Sequence, residues 1–483
     1  MNYYTAKNNQ RINLSDIPTI DFETFKAQLE MTNLRPIGFF GADWGENIRL
    51  FAFLVDDEEG EIFISSALLD KNAKEYPSIT KENHQYHIFE REFYEQFGIK
   101  PVGHPWLKPL RLNQDKHEFF EMEGEEIHQV AVGPIHAGVI EPGHFRFMCQ
   151  GEKVYNLEIM LGYQHRGVED LMVKKPSNQL AESICGDSVI AYNTAYSQVM
   201  EALSDTKVSI KAKLIRAIAL EMERIAIHIG DMGAILGDIA YLMGKEVYAV
   251  TRTLVINTML EISGSRFGRG LITFGGVNFD IDDELSEKIL SVLSEVKATV
   301  EKMTKAALQS SSVMSRLEKT GVVSKETAQE LNLVGLIARS CGIEIDSRFD
   351  FKDEFYQDFE KKKFSATNDA YSRFKIRYKE VIESISFVKK LLKKLEVVKD
   401  DEILVEKNDL ISNSLAISIV EGWRGEVVHI ALTDENGKLR RYKIKDPSFN
   451  NWWGLSMALR GNGISDFPLC NKGFDLSYAG FDL

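Results

Sequence analysis

The chain opens with short stretches in which apolar and polar residues alternate. RLFAFLVD (residues 49–56) and GEIFISSAL (60–68) are rich in β-branched and aromatic residues and flank the acidic turn DDEEG, which predicts a hairpin. HQYHIFEREFYEQFGI (84–99) changes to helical spacing. The following KPVGHPWLKPLRL carries three prolines, so it predicts an extended arm lying on a partner or a neighbouring part of the chain. An acidic, unpatterned stretch (113–128) separates this part from QVAVGPIHAGVIEPGHFRFMCQGEKVYNLEIML, where alternation around Gly and Pro predicts a strand hairpin with a loop near 137–143.

From about residue 176 to 396 the period becomes helical. Residues 208–244 are apolar around most of a helix circumference, which predicts a bundle-core helix broken near a glycine. Residues 286–308 and 373–396 carry charged faces and are expected on the outside. Strands return after 400, with a Glu-Asn-Gly turn inside GEVVHIALTDENGKLRRYKI. The pattern predicts an α+β chain: a small α+β domain over 1–118, then, over 119–483, a mainly helical bundle with a peripheral hairpin and C-terminal strands.

Composition narrows the function. With 483 residues and 44% hydrophobic content the chain can bury a large core. A net charge of −14 and the lack of a basic stripe argue against nucleic-acid binding. No apolar run is long enough to span a bilayer, and MNYYTAKNNQ has no apolar signal core, so a cytoplasmic location is expected. Cys149, Cys185, Cys341 and Cys470 are widely spaced and read as reduced thiols, not a disulfide frame or zinc site.

Several segments carry a family resemblance. FEREFYEQFGIKPVGHPWLKPLRL resembles the small peripheral subunit of complex I. VGPIHAGVIEPGHFRF, LGYQHRGVEDLM, LEMERIAIHIGDMGAILGD, RFGRGLITFGGV and the stretch from Asp446 to Leu483 resemble the large subunit of membrane-bound nickel–iron hydrogenases and its complex I relative. The resemblance follows the family's order along nearly the whole chain and implies a nickel–iron hydrogenase large-subunit-like fold. In the hydrogenases four cysteines, in an early and a late motif, hold the metal centre. The early motif falls on Ser183-Ile184-Cys185-Gly186-Asp187-Ser188 and the late one on Asp475 to Leu483, so Cys185, Ser188, Ser477 and Gly480 stand at the former ligand positions. Serine is neither soft nor anionic at neutral pH, and glycine has no side chain, so no metal is expected on this chain. Hydrogenases also carry a C-terminal extension removed after nickel insertion; the end three residues after Gly480 fits a protein with none to insert.

The resemblance implies further site residues. His144 falls near the quinone-contacting histidine of complex I, and Asp238, ten residues after His228, matches its aspartate partner. Such a pair can relay a proton. Glu169 matches the proton-passing glutamate of the hydrogenase Arg-Gly-x-Glu motif; a salt bridge beside Arg166 is the alternative. Arg424 matches a cavity-lining arginine, with a structural pair to Glu421 or Glu426 as the alternative. The complex I tyrosine at the quinone head falls near Gly186. His165 and His228 read as satisfied core histidines, and His84, His87 and His104 have no ligand spacing. RFGRG lacks the strand and helix context of a phosphate loop.

Together these features imply an oxidoreductase subunit at the cytoplasmic face of the cell membrane, peripheral and held by partners. It would form an acceptor cavity with an iron–sulfur partner, for a quinone or another small molecule. The 4Fe–4S clusters belong to the partners, a small iron–sulfur subunit and a ferredoxin-like subunit, because four scattered cysteines cannot build a cluster site here. Membrane-embedded anchor and antiporter-like subunits would couple the reaction to ion movement. The competing reading is a non-catalytic scaffold in which the old site is filled. A working hydrogenase lacks its ligands.

Overall fold

The computed structural model describes residues 2–112, 116–138, 140–351, 354–361, 363–364, 366–398 and 400–483. The expected hairpin is the centre of the first sheet. β1 (Tyr4–Ala6), β2 (Arg11–Asn13), β3 (Thr19–Ile20) and α1 (Phe22–Met31) lead to β4 (Arg35–Trp44), β5 (Asn47–Asp56) and β6 (Glu61–Asp70). The sheet order is β1-β6-β5-β4, antiparallel, with β3 parallel to β6. β7 (Glu75–Pro77) pairs with β8 (Lys100–Val102) on either side of α2 (His87–Phe97). The aromatic side of α2 faces the sheet, where Phe93 meets Phe39 and Tyr76 edge-on. Gly98 takes the left-handed conformation that ends the helix.

The proline-rich arm lies on its own chain. Arg91 of α2 donates to the Lys108 carbonyl (2.7 Å), and Arg111 donates to the Phe481 carbonyl (2.6 Å). The arm therefore ties α2 to the C-terminus.

β9 (Ile127–Val132), β10 (His144–Gln150) and β11 (Lys153–Met160) form the second sheet, with the loop where expected; residue 139 of that loop and residues 113–115 of the acidic stretch lie outside the described residues. Then come α3 (Val168–Lys174), α4 (Asn178–Glu182), α5 (Val189–Ser204), α6 (Ile210–Asp238) and α7 (Leu242–Ser263). A short ribbon, β12 (Ile272–Thr273) and β13 (Gly276–Val277), precedes α8 (Asp283–Leu308). Four short helices follow, α9 (Ser311–Leu317), α10 (Lys325–Glu330), α11 (Gly335–Ser340) and α12 (Ser347–Asp350), and then the long α13 (Ala370–Val397). α6 is buried along most of its 29 residues, as its apolar circumference requires, and the break comes just after Gly237.

One expectation fails. α13 does not line the outside: it packs along α6, and Arg373, Arg377 and Glu380 point inward. Its lysines made the helix look solvated, whereas its inward charges have buried partners.

The chain closes with β14 (Ser414–Glu421), β15 (Glu426–Thr433), β16 (Leu439–Lys445), α14 (Ser448–Ala458), α15 (Phe467–Phe474) and α16 (Tyr478–Asp482). The last sheet runs β16-β15-β14-β2, so a strand from the first fourteen residues edges the C-terminal sheet, Asn13 opposite Ser414. Arg35 of β4 adds a bridge to Glu426 (2.7 Å), itself bonded to Lys445 (2.6 Å). No described helix is long and apolar enough to cross a membrane.

Candidate functional site

Four segments meet around Cys185, Ser188, Ser477 and Gly480: the connector 183–188 between α4 and α5, the turn 422–425 between β14 and β15, the residues after β16, and the C-terminus. The connector is a tight turn, with the Ser188 amide donating to the Cys185 carbonyl (3.2 Å), and Ser188 is the residue at the N-cap position of α5, without a side-chain capping bond. The β14–β15 turn closes through reciprocal Gly422–Gly425 backbone bonds (2.9 and 3.1 Å), which project Arg424 toward the connector. Its guanidinium stacks 3.8 Å from the Trp423 ring.

Arg424 organises the cluster. It donates to both Asp187 oxygens (2.6 and 2.8 Å), to the Asp475 carbonyl (2.6 Å) and to Cys185 Sγ (3.4 Å). The Cys185 thiol donates to Asp187 Oδ1 (3.1 Å) and lies 3.2 Å from Ser477 Oγ. Ser477 Oγ accepts from the Gly480 amide (2.8 Å), and Tyr192 donates to Asp446 beside it. Burial and the adjacent Asp187 carboxylate push the Cys185 thiol well above its ordinary pKa. Against the cost of burial, Arg424 holds Asp187 below the usual carboxylate range.

These residues do not fit the hydrogenase metal centre. The one thiol is held protonated in a hydrogen-bonded net, and the second early position is Ser188, buried at the start of α5. A Cβ at Gly480 would stand 2.7 Å from Asp446 Cγ, so a carboxylate occupies the space a cysteine side chain there would need. A soft thiolate set cannot assemble there.

A second charged group lies behind Asp475. Lys472 bridges Asp475 (2.7 Å) and Asp231 (3.4 Å), and Arg377 donates to Asp231 (3.1 Å). Burial and the neighbouring Asp475 raise Asp231 to about 7. Glu223 of α6 accepts from the first amides of α5, Ile190 (2.8 Å) and Ala191 (3.4 Å), and burial raises it to about 8.

The proposed proton pair is not assembled. His144 starts β10 and stacks against Phe119 (5.0 Å between centroids); burial, then Arg146, lower its pKa. Asp238 is exposed at the end of α6, where Lys472 is the charge acting on it. No hydrogen bond or ion pair joins the two among the described residues. Spacing along α6 put Asp238 on a helix end, and the loop before His144 does not carry the histidine to it.

Glu169 is also reassigned. It accepts from Lys443 (2.8 Å), Arg441 (3.0 Å) and the Ile444 amide (3.0 Å). Despite burial, Lys443, Arg441 and Arg111 hold its carboxyl down at about 2, and its ion pairs join α3 to β16. Arg166, its expected neighbour, donates instead to the Ser183 and Ile184 carbonyls.

Arg424 pairs with neither Glu421 nor Glu426, which Arg339 and Arg35 occupy. His228 is a core histidine, 2.8 Å from Glu380 and lowered to about 4 by burial. His165 is exposed, with Nδ1 against the Asp482 carbonyl. Gly186 is exposed and open, its nearest would-be contact being Arg269 Nη2 at 3.9 Å. Asp187, Asp446 and Asp475 were missed from sequence, although Asp187 stands between Cys185 and Ser188. The signal was there in Arg424, a cavity arginine needing a counter-ion.

Residues 238–415 match the family model of the respiratory-chain NADH dehydrogenase 49 Kd subunit, and residues 21–122 that of the 30 Kd subunit. The chain is 30% identical to the membrane-bound hydrogenase subunit alpha of Pyrococcus furiosus, over 72% of this chain and 85% of that one. It is 27% identical to hydrogenase-4 component G of Escherichia coli K12, over 89% of this chain and 80% of the relative. An NADH-quinone oxidoreductase subunit of Thermosipho melanesiensis is 28% identical over 70% of this chain and 94% of its own. The fold is shared with a chain of the membrane-bound sulfane sulfur reductase, an archaeal respiratory membrane complex (TM-score 0.68, 21% identity, 74% of this chain and 99% of that one). The chain belongs to the family of large subunits shared by complex I and the membrane-bound hydrogenases, with a region like the complex I 30 Kd subunit fused ahead of it.

Proposed function

We propose that this chain is a peripheral-arm subunit of a membrane-bound, complex I-like redox complex. With an iron–sulfur partner it forms the cavity where electrons reach a quinone or another small-molecule acceptor. The observation that carries this reading is the replaced donor set: the family's frame is kept, while Cys185, Asp187, Arg424 and Ser477 form a hydrogen-bonded polar cluster where the hydrogenases hold a metal. The relatives' names span hydrogenases, quinone reductases and a sulfur reductase, so one frame serves different acceptors. Electrons arrive through 4Fe–4S clusters of the small and ferredoxin-like iron–sulfur subunits. Anchor and antiporter-like subunits hold the chain at the cytoplasmic face of the membrane and couple turnover to ion movement. The chain works only inside that assembly.

The test is to recover tagged chain from native membranes in mild detergent. Iron–sulfur and membrane-embedded subunits should accompany it, nickel should not be stoichiometric, and pre-reduced clusters should be reoxidised by a soluble quinone or another added small-molecule acceptor. Recovery without any iron–sulfur chain, or with one nickel per chain, would overturn the reading. One observation favours the scaffold alternative: Cys185 and Ser477 are only 2% and 4% exposed and satisfy each other. An intact complex whose clusters no acceptor reoxidises would establish that alternative.

A further inference from the structure

Trp423 sits beside Arg424 in the β14–β15 turn, and its contacts reach beyond the turn. It is only 1% exposed. Its indole Nε1 donates to the Asp187 main-chain carbonyl (2.9 Å), and its ring lies 3.8 Å from the Arg424 guanidinium. His228 of α6 meets the ring nearly at right angles, with centroids 6.1 Å apart. The turn is tied to α6 by the buried Arg224, which donates to the Gly422 (2.9 Å) and Glu421 (2.6 Å) carbonyls. A Cβ on Gly422 would stand 3.2 Å from Ala191 Cβ and 3.5 Å from Ser188 Oγ, so the turn also lies against the start of α5.

Residues 423 and 424 therefore grip Asp187 twice, the first at its main chain and the second at its carboxylate. The two holds are not equivalent. The Asp187 side chain is 40% exposed, so water competes for its ion pair, and a pair of that kind fixes geometry weakly. An indole has a single donor, and this one is spent on the connector backbone, which fixes the ring plane. A guanidinium stacked on a fixed ring loses its choice of planes. From that plane Arg424 reaches both Asp187 oxygens, the Asp475 carbonyl and Cys185 Sγ.

We propose that Trp423 is a positioning residue, which fixes Arg424 and the connector relative to each other and so holds the Cys185 cluster closed. Its part in turnover rests on the acceptor-cavity reading; its hold on Cys185 does not.

The readout is alkylation of each cysteine by iodoacetamide in the purified complex at one pH, followed by peptide mass spectrometry. All four cysteines are buried, so each rate reports how often its own surroundings open. Trp423→Phe keeps an aromatic ring beside Arg424 and loses the bond to Asp187; Cys185 should react about fivefold faster, the effect of one hydrogen bond. Trp423→Leu loses ring and bond together, and about thirtyfold is expected. Cys149, Cys341 and Cys470 should keep their wild-type rates in both variants. Trp44→Leu, which removes a ring stacked on Arg49 and Arg440 in the first sheet, should leave Cys185 unchanged. A Cys185 rate that Trp423→Leu does not raise overturns the inference, and so does acceleration of all four cysteines together, the mark of general loosening. If Trp423→Leu fails to assemble, the Cys185 rate in Trp423→Phe decides alone. Reoxidation of the clusters by an added acceptor, measured on the same preparations, reports separately on the acceptor cavity. Wild-type complex that no acceptor reoxidises removes that reading and leaves the hold on Cys185 standing. Where the wild type is reoxidised, Trp423→Leu should lower kcat/KM by on the order of tenfold, with Trp423→Phe between, as misplacing a cavity group does; an unchanged kcat/KM overturns the part in turnover.

Discussion

Gly480→Ala is the most direct test of the idea that the former metal position is filled from within. The added methyl would stand 2.7 Å from Asp446 Cγ, closer still to Oδ2, and 3.0 Å from Ser477 Oγ. Neither neighbour yields easily. Asp446 is 2% exposed, accepts from the Ser448 amide (2.5 Å) and from the Tyr192 hydroxyl, and Ser477 is tied to Cys185. Overpacking a core by one methyl costs about 1–3 kcal/mol, and moving Asp446 away leaves the buried Tyr192 hydroxyl unpaired for about 1–3 kcal/mol more. A loss of roughly 2–5 kcal/mol is expected, read as a lower urea midpoint of the complex-bound chain by pulse proteolysis. Asp446→Ala alone should also destabilise, by leaving Tyr192 and the Ser448 amide without an acceptor. The double variant should be better than the sum of the two by at least about 1 kcal/mol, because removing the carboxylate makes room for the methyl. Additive losses, or a neutral Gly480→Ala, would refute the view that Asp446 occupies the vacated space. By the same reasoning, Ser188→Cys/Ser477→Cys/Gly480→Cys should not restore stoichiometric nickel.

Three other outcomes follow from the charges. Glu223 has a folded pKa of about 8, above its unfolded value, so its contribution favours folding at low pH and is lost as pH rises from about 4.5 through 8; Glu223→Gln should flatten that slope, by a few kcal/mol at most, in urea titrations at several pH values. Glu426 is held at about 2, despite burial, by Arg35 and Lys445, so its contribution is complete above the unfolded carboxylate range and disappears as pH falls toward 2; Arg35→Ala should cost about 3–5 kcal/mol at neutral pH and expose the junction between β4 and β15 to limited proteolysis. His144→Ala and Asp238→Asn should have additive effects on cluster reoxidation, within about 0.5 kcal/mol, since no hydrogen bond or ion pair among the described residues joins them; a strong coupling energy would reinstate them as a pair.

Local pattern determined the parts of this protein whose structure depends on neighbours in sequence. The alternation in 49–68 and 129–161 pointed to the hairpins β5–β6 and β9–β10, and the apolar circumference of 208–244 to the buried α6, because strand and helix periods are set within a few residues. Motif spacing, through the family resemblance, also marked Cys185, Ser188, Ser477, Gly480 and Arg424. Tertiary structure decided the rest. Asp187 meets Arg424 across 237 residues, and no local spacing encodes that partnership. The inward charges of α13, and Glu169 in its nest of Lys443 and Arg441, read as polar positions in a sequence, and polarity alone predicts solvent. Glu169, Arg377 and Glu380 are buried against opposite charges on elements distant in the chain, and Arg373 against the Thr320 and Gly321 carbonyls, because a buried charge is tolerated only with such partners. For the same reason the His144–Asp238 relay, reasonable as two motif positions, dissolved once the strand and the helix end took their places apart.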